Sequence, residues 1–181
     1  MPVSERTYKK VALEDPNGRW ELHNGELRQK PHMSADHNRT ISRLFGWVFQ
    51  QVDQERFEVR SNLGHVRRSS RSYYLPDVHV VPVELVQPQI GTRRLEVFAT
   101  PLPLVIEVWS PSTGDYDLET KVPEYQARGD LEIWRVHPFE HTVIAWVRQP
   151  NGTYLESLHS GGIIRPAALP AVSIDLDKLF G

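Results

Sequence analysis

The chain has 181 residues, 39% of them apolar, and its 21 Lys and Arg against 23 Asp and Glu leave a net charge of -2. That length suits one domain, and bulk charge does not announce a nucleic-acid binder, so any such surface must be a local patch. Cysteine is absent, which excludes disulfides, thiolate metal sites and a cysteine nucleophile and fits a reducing, cytoplasmic setting. No apolar run approaches the roughly 18 residues of a membrane span, and MPVSERTYKK has no export-type apolar segment, so neither membrane nor export is expected.

In chain order, Trp20 to His23 and Glu26 to Gln29 flank Asn24-Gly25, a dipeptide that tolerates positive φ at both positions and so predicts a hairpin. Beyond Pro31, Ile41, Leu44, Phe45, Val48, Phe49 and Val52 recur at helical spacing. They predict a helix over 35–53 with Ser34 as its N-cap. Phe57 to Arg68 and Tyr74 to Val81 read as strands, and Pro82 to Pro103 as irregular connection. Leu104 to Trp109 is an apolar run broken by one charge, Glu107, as in a central strand buried on both faces. A helix is expected from about Thr120 to Gly129, with Pro123 in its first turn and glycine at its end. Strands at Leu131 to Val136, Thr142 to Val147 and Thr153 to Leu158 complete the pattern. The expected fold is a mixed α/β (α+β) domain spanning 1–181, with a core over about 20–158 and extended or frayed ends.

Two carboxylates stand in apolar surroundings. Asp77 enters a strand directly after Pro76, and Glu107 sits inside one. A buried carboxylate must be paired, protonated or metal-bound. Two of them on neighbouring strands can share a hard cation such as magnesium or manganese. Residues two apart on a strand share a face, so Glu107 points with Val105 and Trp109. A lysine at 109 would sit beside that ion. Tryptophan occupies the position, and the nearest downstream lysine is Lys121, at the start of the following helix.

The segments Leu75-Pro76-Asp77-Val78 and Glu107-Val108-Trp109-Ser110-Pro111-Ser112-Thr113, followed by Lys121, Tyr125, Gly129, Trp134 and Pro138, resemble the Uma family of restriction-type endonucleases. That family lies within the PD-(D/E)XK nuclease superfamily. The resemblance covers about residues 20–155 and implies a metal-dependent nuclease core. It assigns Asp77 and Glu107 to the metal and Lys121 to the lysine supplied from the helix, with Asn24-Gly25-Glu26 and His37 at positions that the family often fills. Two features depart from its pattern: His137 precedes Pro138 where an aspartate is usual, and Pro123 follows the lysine by two residues.

Plainer roles compete with these. Asp77 could serve a turn, Glu107 a buried pair with an arginine, His37 a hydrogen-bonded core position, His79 a cross-strand contact, and Glu26 the surface. Arg60, Arg67, Arg68 and Arg71 form a run without an acid, either a solvated face or, for Arg67, Arg68 and Arg71, a phosphate-binding patch. The expected function is magnesium- or manganese-dependent hydrolysis of DNA phosphodiester bonds. Asp77, Glu107 and the Trp109 backbone carbonyl hold the ion, Lys121 stabilises charge, and a homodimer suits cutting of both strands. The alternative is a nuclease-like fold that binds nucleic acid or a protein partner without cutting.

Overall fold

The computed structural model describes residues 2–181. Two sheets carry the fold. Strands β1 (Trp20–His23), β2 (Glu26–Gln29), β4 (His65–Ser69), β5 (Ser72–Tyr74) and β7 (Val97–Phe98) form one, in the order β2-β1-β5-β4-β7. Strands β3 (Phe57–Ser61), β6 (Val78–Pro82), β8 (Leu104–Val108), β9 (Glu132–His137), β10 (Thr142–Arg148) and β11 (Tyr154–His159) form the other, in the order β11-β10-β9-β8-β6-β3. A two-stranded ribbon of β12 (Ile163–Ile164) and β13 (Ile174–Asp175) follows.

Strand β8 is central and buried at every position, antiparallel to β6 and parallel to β9. A parallel pair needs a crossover, and here a short turn after β8 leads into one continuous helical segment. Helix α4 (Gly114–Tyr116) runs into a π turn, Asp117–Lys121, and then into α5 (Val122–Arg128). Pro123 therefore lies inside a continuous helical segment, not in a first turn as its position suggested. A proline ring crowds the carbonyl four residues earlier and offers no N–H to it. That carbonyl belongs to Glu119, inside the widened turn. The segment ends as expected at Gly129, with φ of 83°.

The two faces of β8 meet different cores. Leu104, Ile106 and Val108 pack with Leu44 and Val48 of helix α2 (Ala35–Gln51) and with Ile174, Leu176 and Leu179 near the C-terminus. Val105 packs with Val122 and Tyr125 of α5 and with Phe98 and Tyr74 of the smaller sheet. Glu107 shares the Val105 face by alternation, so it points toward α5 and the smaller sheet.

Ser34 caps α2 by accepting from the His37 N–H, and Asn24 and Gly25 take φ of 51° and 88° in the predicted hairpin. The expected strand over 57–68 is two strands in different sheets, because Asn62 and Gly64 adopt φ of 51° and 71° and turn the chain. The Pro82–Pro103 stretch holds a short helix α3 (Val83–Val86), one 3-10 turn and β7. Among the described residues neither end is frayed. Helix α1 (Glu5–Glu14) seats Tyr8 against Leu22 and Tyr73, and α6 (Leu176–Phe180) completes the core over α2. No helix among the described residues is long and apolar enough to cross a membrane.

Candidate active site

The ladder between β6 and β8 pairs Val78 with Ile106, and one further step sets Asp77 beside Glu107. The Asp77 Oδ2 accepts from the Val108 N–H at 2.8 Å, which ties the two strand ends together. Asp77 Oδ1 accepts from the Lys30 ammonium at 2.7 Å, and His37 Nε2 stands 3.4 Å from Oδ2. Burial works against ionisation of Asp77, but the Lys30 charge foremost, with His37 close beside it, holds its pKa far below the ordinary carboxylate range.

Glu107 has the opposite surroundings. Its Oε1 accepts from Tyr125 at 2.6 Å and from Lys121 at 3.2 Å, whereas Oε2 is buried without a partner. The residue is 1% exposed. Burial drives its pKa up to about 8, helped by the neighbouring charges of Asp77 and Asp117 and opposed by Lys121 and Lys30.

Lys121 joins the acids. Its ammonium lies 2.8 Å from Glu21, 3.2 Å from Glu107 and 3.4 Å from Asp117. Burial favours loss of the proton, but these carboxylates, Glu107 foremost, raise its pKa well above the usual lysine value. Asp117, Lys121 and Tyr125 are spaced four apart and share one helical face. Glu21 also accepts from the Leu75 N–H at 2.8 Å, linking the smaller sheet to the strand that carries Asp77. A cleft of about 500 Å³ opens onto this cluster, lined by Glu21, Lys30, Lys121, Tyr116, Ser112 and Arg28 among others. Arg28, exposed at the cleft, lies over the Tyr116 ring at 4.6 Å.

Sequence reasoning located Asp77, Glu107, Lys121 and His37, which the fold brings together. It missed Glu21, Lys30, Asp117 and Arg28. The four-residue spacing around Lys121 was the readable signal for Asp117. Glu21 and Lys30 are visible only once the hairpin is docked on the second sheet. Glu26 is exposed on edge strand β2 and does not line the cleft; Glu21, on the paired strand, is the acid that reaches it. His79 is fully buried 6.0 Å from Phe98, with burial pushing its pKa down to about 3, and has no contact with the acids.

Trp109 lies one residue past β8, and its indole stacks on His137 at 4.2 Å. The arginine run is engaged within the chain. Arg60 pairs with Glu58 and Glu96, Arg67 with Glu5 and Tyr73, and Arg68 with Glu124, while Arg71 donates to the Asn24 carbonyl. None of the four lines the cleft.

A family model, Uma2, described as "Putative restriction endonuclease", matches residues 6–177. The chain belongs to the Uma2 family. Its fold is also that of a crystal structure titled as a putative nuclease belonging to DUF820 from Anabaena variabilis ATCC 29413. The two agree with a TM-score of 0.80 over 99% of this chain and 98% of that one, at 17% sequence identity. No curated protein matches the chain. The chain thus carries a restriction-endonuclease-like mixed sheet, with Lys30 and Lys121 in the wall of one cleft and Asp77 and Glu107 buried against them.

Proposed function

We propose that this Uma2 protein is a metal-dependent DNA endonuclease, with Asp77 and Glu107 holding magnesium or manganese and the Trp109 backbone carbonyl as an added ligand. The observation that carries this reading is the buried, unpartnered Oε2 of Glu107 within a group of four carboxylates and two ammonium groups. Fully ionised, the group keeps two negative charges, the complement of one divalent cation. Among the described residues no three or more His, Asp and Glu form a ready cage. An ion held by two acids would draw its remaining ligands from water and substrate phosphate, as magnesium usually does. The donor set therefore fits the ion.

Such an ion supplies polarisation of the phosphate and a water of lowered pKa. The chain supplies the rest. Lys121, held by three acids on the cleft wall, offsets charge that builds on phosphoryl oxygens. Arg28, fixed over Tyr116 at the cleft, offers a bidentate grip on a phosphate group. Arg67, Arg68 and Arg71 could meet a duplex only outside the cleft, by exchanging their present partners.

Nicking of supercoiled plasmid in Mg²⁺ or Mn²⁺ tests the reading. Wild type should nick, and Asp77→Asn and Glu107→Gln should not. Wild-type cleavage that persists undiminished in EDTA overturns the metal assignment. DNA binding without cleavage in either metal would favour the non-cutting alternative.

A further inference from the structure

Lys30 directly follows the hairpin strand β2 and reaches into the site. It is 8% exposed, and its ammonium donates to Asn62 Oδ1 at 2.9 Å, to the Leu75 carbonyl at 2.8 Å and to Asp77 Oδ1 at 2.7 Å. An ammonium has three N–H donors and no acceptor. All three are used inside the protein, so Lys30 has no free donor for a phosphate although it borders the cleft. Burying a lysine is costly unless its charge is matched, and here the match is the same carboxylate that the metal reading assigns to the ion.

The two acids therefore divide unequally. Asp77 Oδ1 is taken by a fixed positive charge and Oδ2 by the Val108 N–H, with His37 alongside. Glu107 keeps one oxygen open. We propose that Lys30 is a built-in counter-ion that takes the place of a second metal ion, limiting the site to one divalent cation. The inference rests on the metal reading above and concerns its stoichiometry. One divalent ion brings the four carboxylates and two ammonium groups to neutrality. A second would leave two uncompensated positive charges in a buried cluster, which the low-dielectric surroundings penalise heavily. Lys30 is thus a positioning residue. It orients Asp77 and sets the charge of the site without touching substrate.

Binding of Mn²⁺ to the full chain, read from the loss of the free-ion electron paramagnetic resonance signal, tests this without any turnover. Wild type should bind one ion per chain. Lys30→Met, which removes one positive charge and frees Asp77 Oδ1, should bind either two ions or one ion at least tenfold tighter. Lys30→Arg, which keeps the charge, should retain a single ion at close to wild-type affinity. Where Lys30→Met is too unstable for the titration, thermal melts replace it, and Mn²⁺ should raise its Tm by more than it raises that of wild type. Two ions on wild type overturn the proposal. So does a Lys30→Met protein with wild-type stoichiometry and affinity, or with no greater stabilisation by Mn²⁺. A wild type that binds no Mn²⁺ at all defeats the metal reading itself, a result distinct from either of these.

Discussion

The surroundings of Asp77 and Glu107 differ more than their shared burial suggests. The two acids stand on adjacent strands, 2% and 1% exposed. Around Asp77 the chain gathers a lysine, a backbone N–H and a histidine, and the carboxylate stays ionised. Around Glu107 it supplies one tyrosine and a lysine shared with two other acids, and leaves an oxygen bare. Burial alone thus does not set the charge of a carboxylate. The number of donors left over after neighbouring acids have taken theirs decides it.

The largest effect that would break this contrast is on stability. Asp77→Asn leaves the Lys30 ammonium buried without its counter-charge and should cost about 3–5 kcal/mol. At pH 5, where Glu107 keeps its proton in the folded protein, Glu107→Gln replaces it with a neutral group of the same shape and should change stability by no more than about 1 kcal/mol. Urea unfolding of the two variants in EDTA checks the pair, and equal losses would show that both acids are held alike.

The same contrast has a pH signature. A carboxyl raised from 4.5 to about 8 takes up a proton on folding between those values. Its contribution is therefore complete below pH 4.5 and is lost as pH rises through about 8. Metal-free wild type should lose stability over that window, by up to about 1.4 kcal/mol per pH unit. Glu107→Gln should flatten the slope. A wild-type curve already flat from pH 5 to 8 would mean that Glu107 finds a donor in solution.

Lys121 sharpens the comparison from the cationic side. Lys121→Ala should slow plasmid nicking on the order of a hundredfold, about 2.7 kcal/mol, at saturating Mn²⁺, while Mn²⁺ binding is not weakened, since lysine is no ligand for the ion and its loss removes a positive charge from the cluster. Lys121→Arg should recover little, because a planar guanidinium cannot replace a compact ammonium among three acids. Full activity in Lys121→Ala would remove it from the chemistry.

The smallest effect is expected at Glu5, a half-exposed acid whose hydrogen bond with Tyr73, then with Lys9, lowers its pKa from 4.5 to about 2. Its contribution is present above pH 4.5 and lost as pH falls through about 2. Glu5→Gln should cost about 0.5 kcal/mol at pH 7, reduced by solvent screening, and nothing at pH 2. An equal cost at both pH values would assign the loss to packing of α1.

Much of this was legible in the sequence where the signal was local. The Asn24-Gly25 turn, the α2 stripe with its Ser34 cap and the lone Glu107 in an apolar run each depend on neighbours within a few residues. The sheet assignment of 57–69 was not legible, because two left-handed residues redirect a stretch whose composition reads as one strand. The ends were misjudged for a related reason. Tyr8 and Leu179 find their partners only across the whole chain. The arginine run holds no acid between Arg60 and Arg71, yet Glu5, Glu96 and Glu124 reach it from distant parts of the chain, beside Glu58 two residues before it. Lys30 reads as a solvated hairpin end until Asn62 and Asp77, 32 and 47 residues away, close around it.

The widened turn before Pro123 has a consequence for angular register. A regular helix advances about 100° per residue, so the placement of any side chain dictates that of all the others. Slackening the winding over Asp117–Lys121 breaks that dictation. Thr113 and Tyr116 can be aimed at the cleft while Val122 and Tyr125 are aimed at the core. Removing a single residue there would restore uniform winding and rotate one set out of alignment by about a quarter turn or more, without changing any side chain's identity.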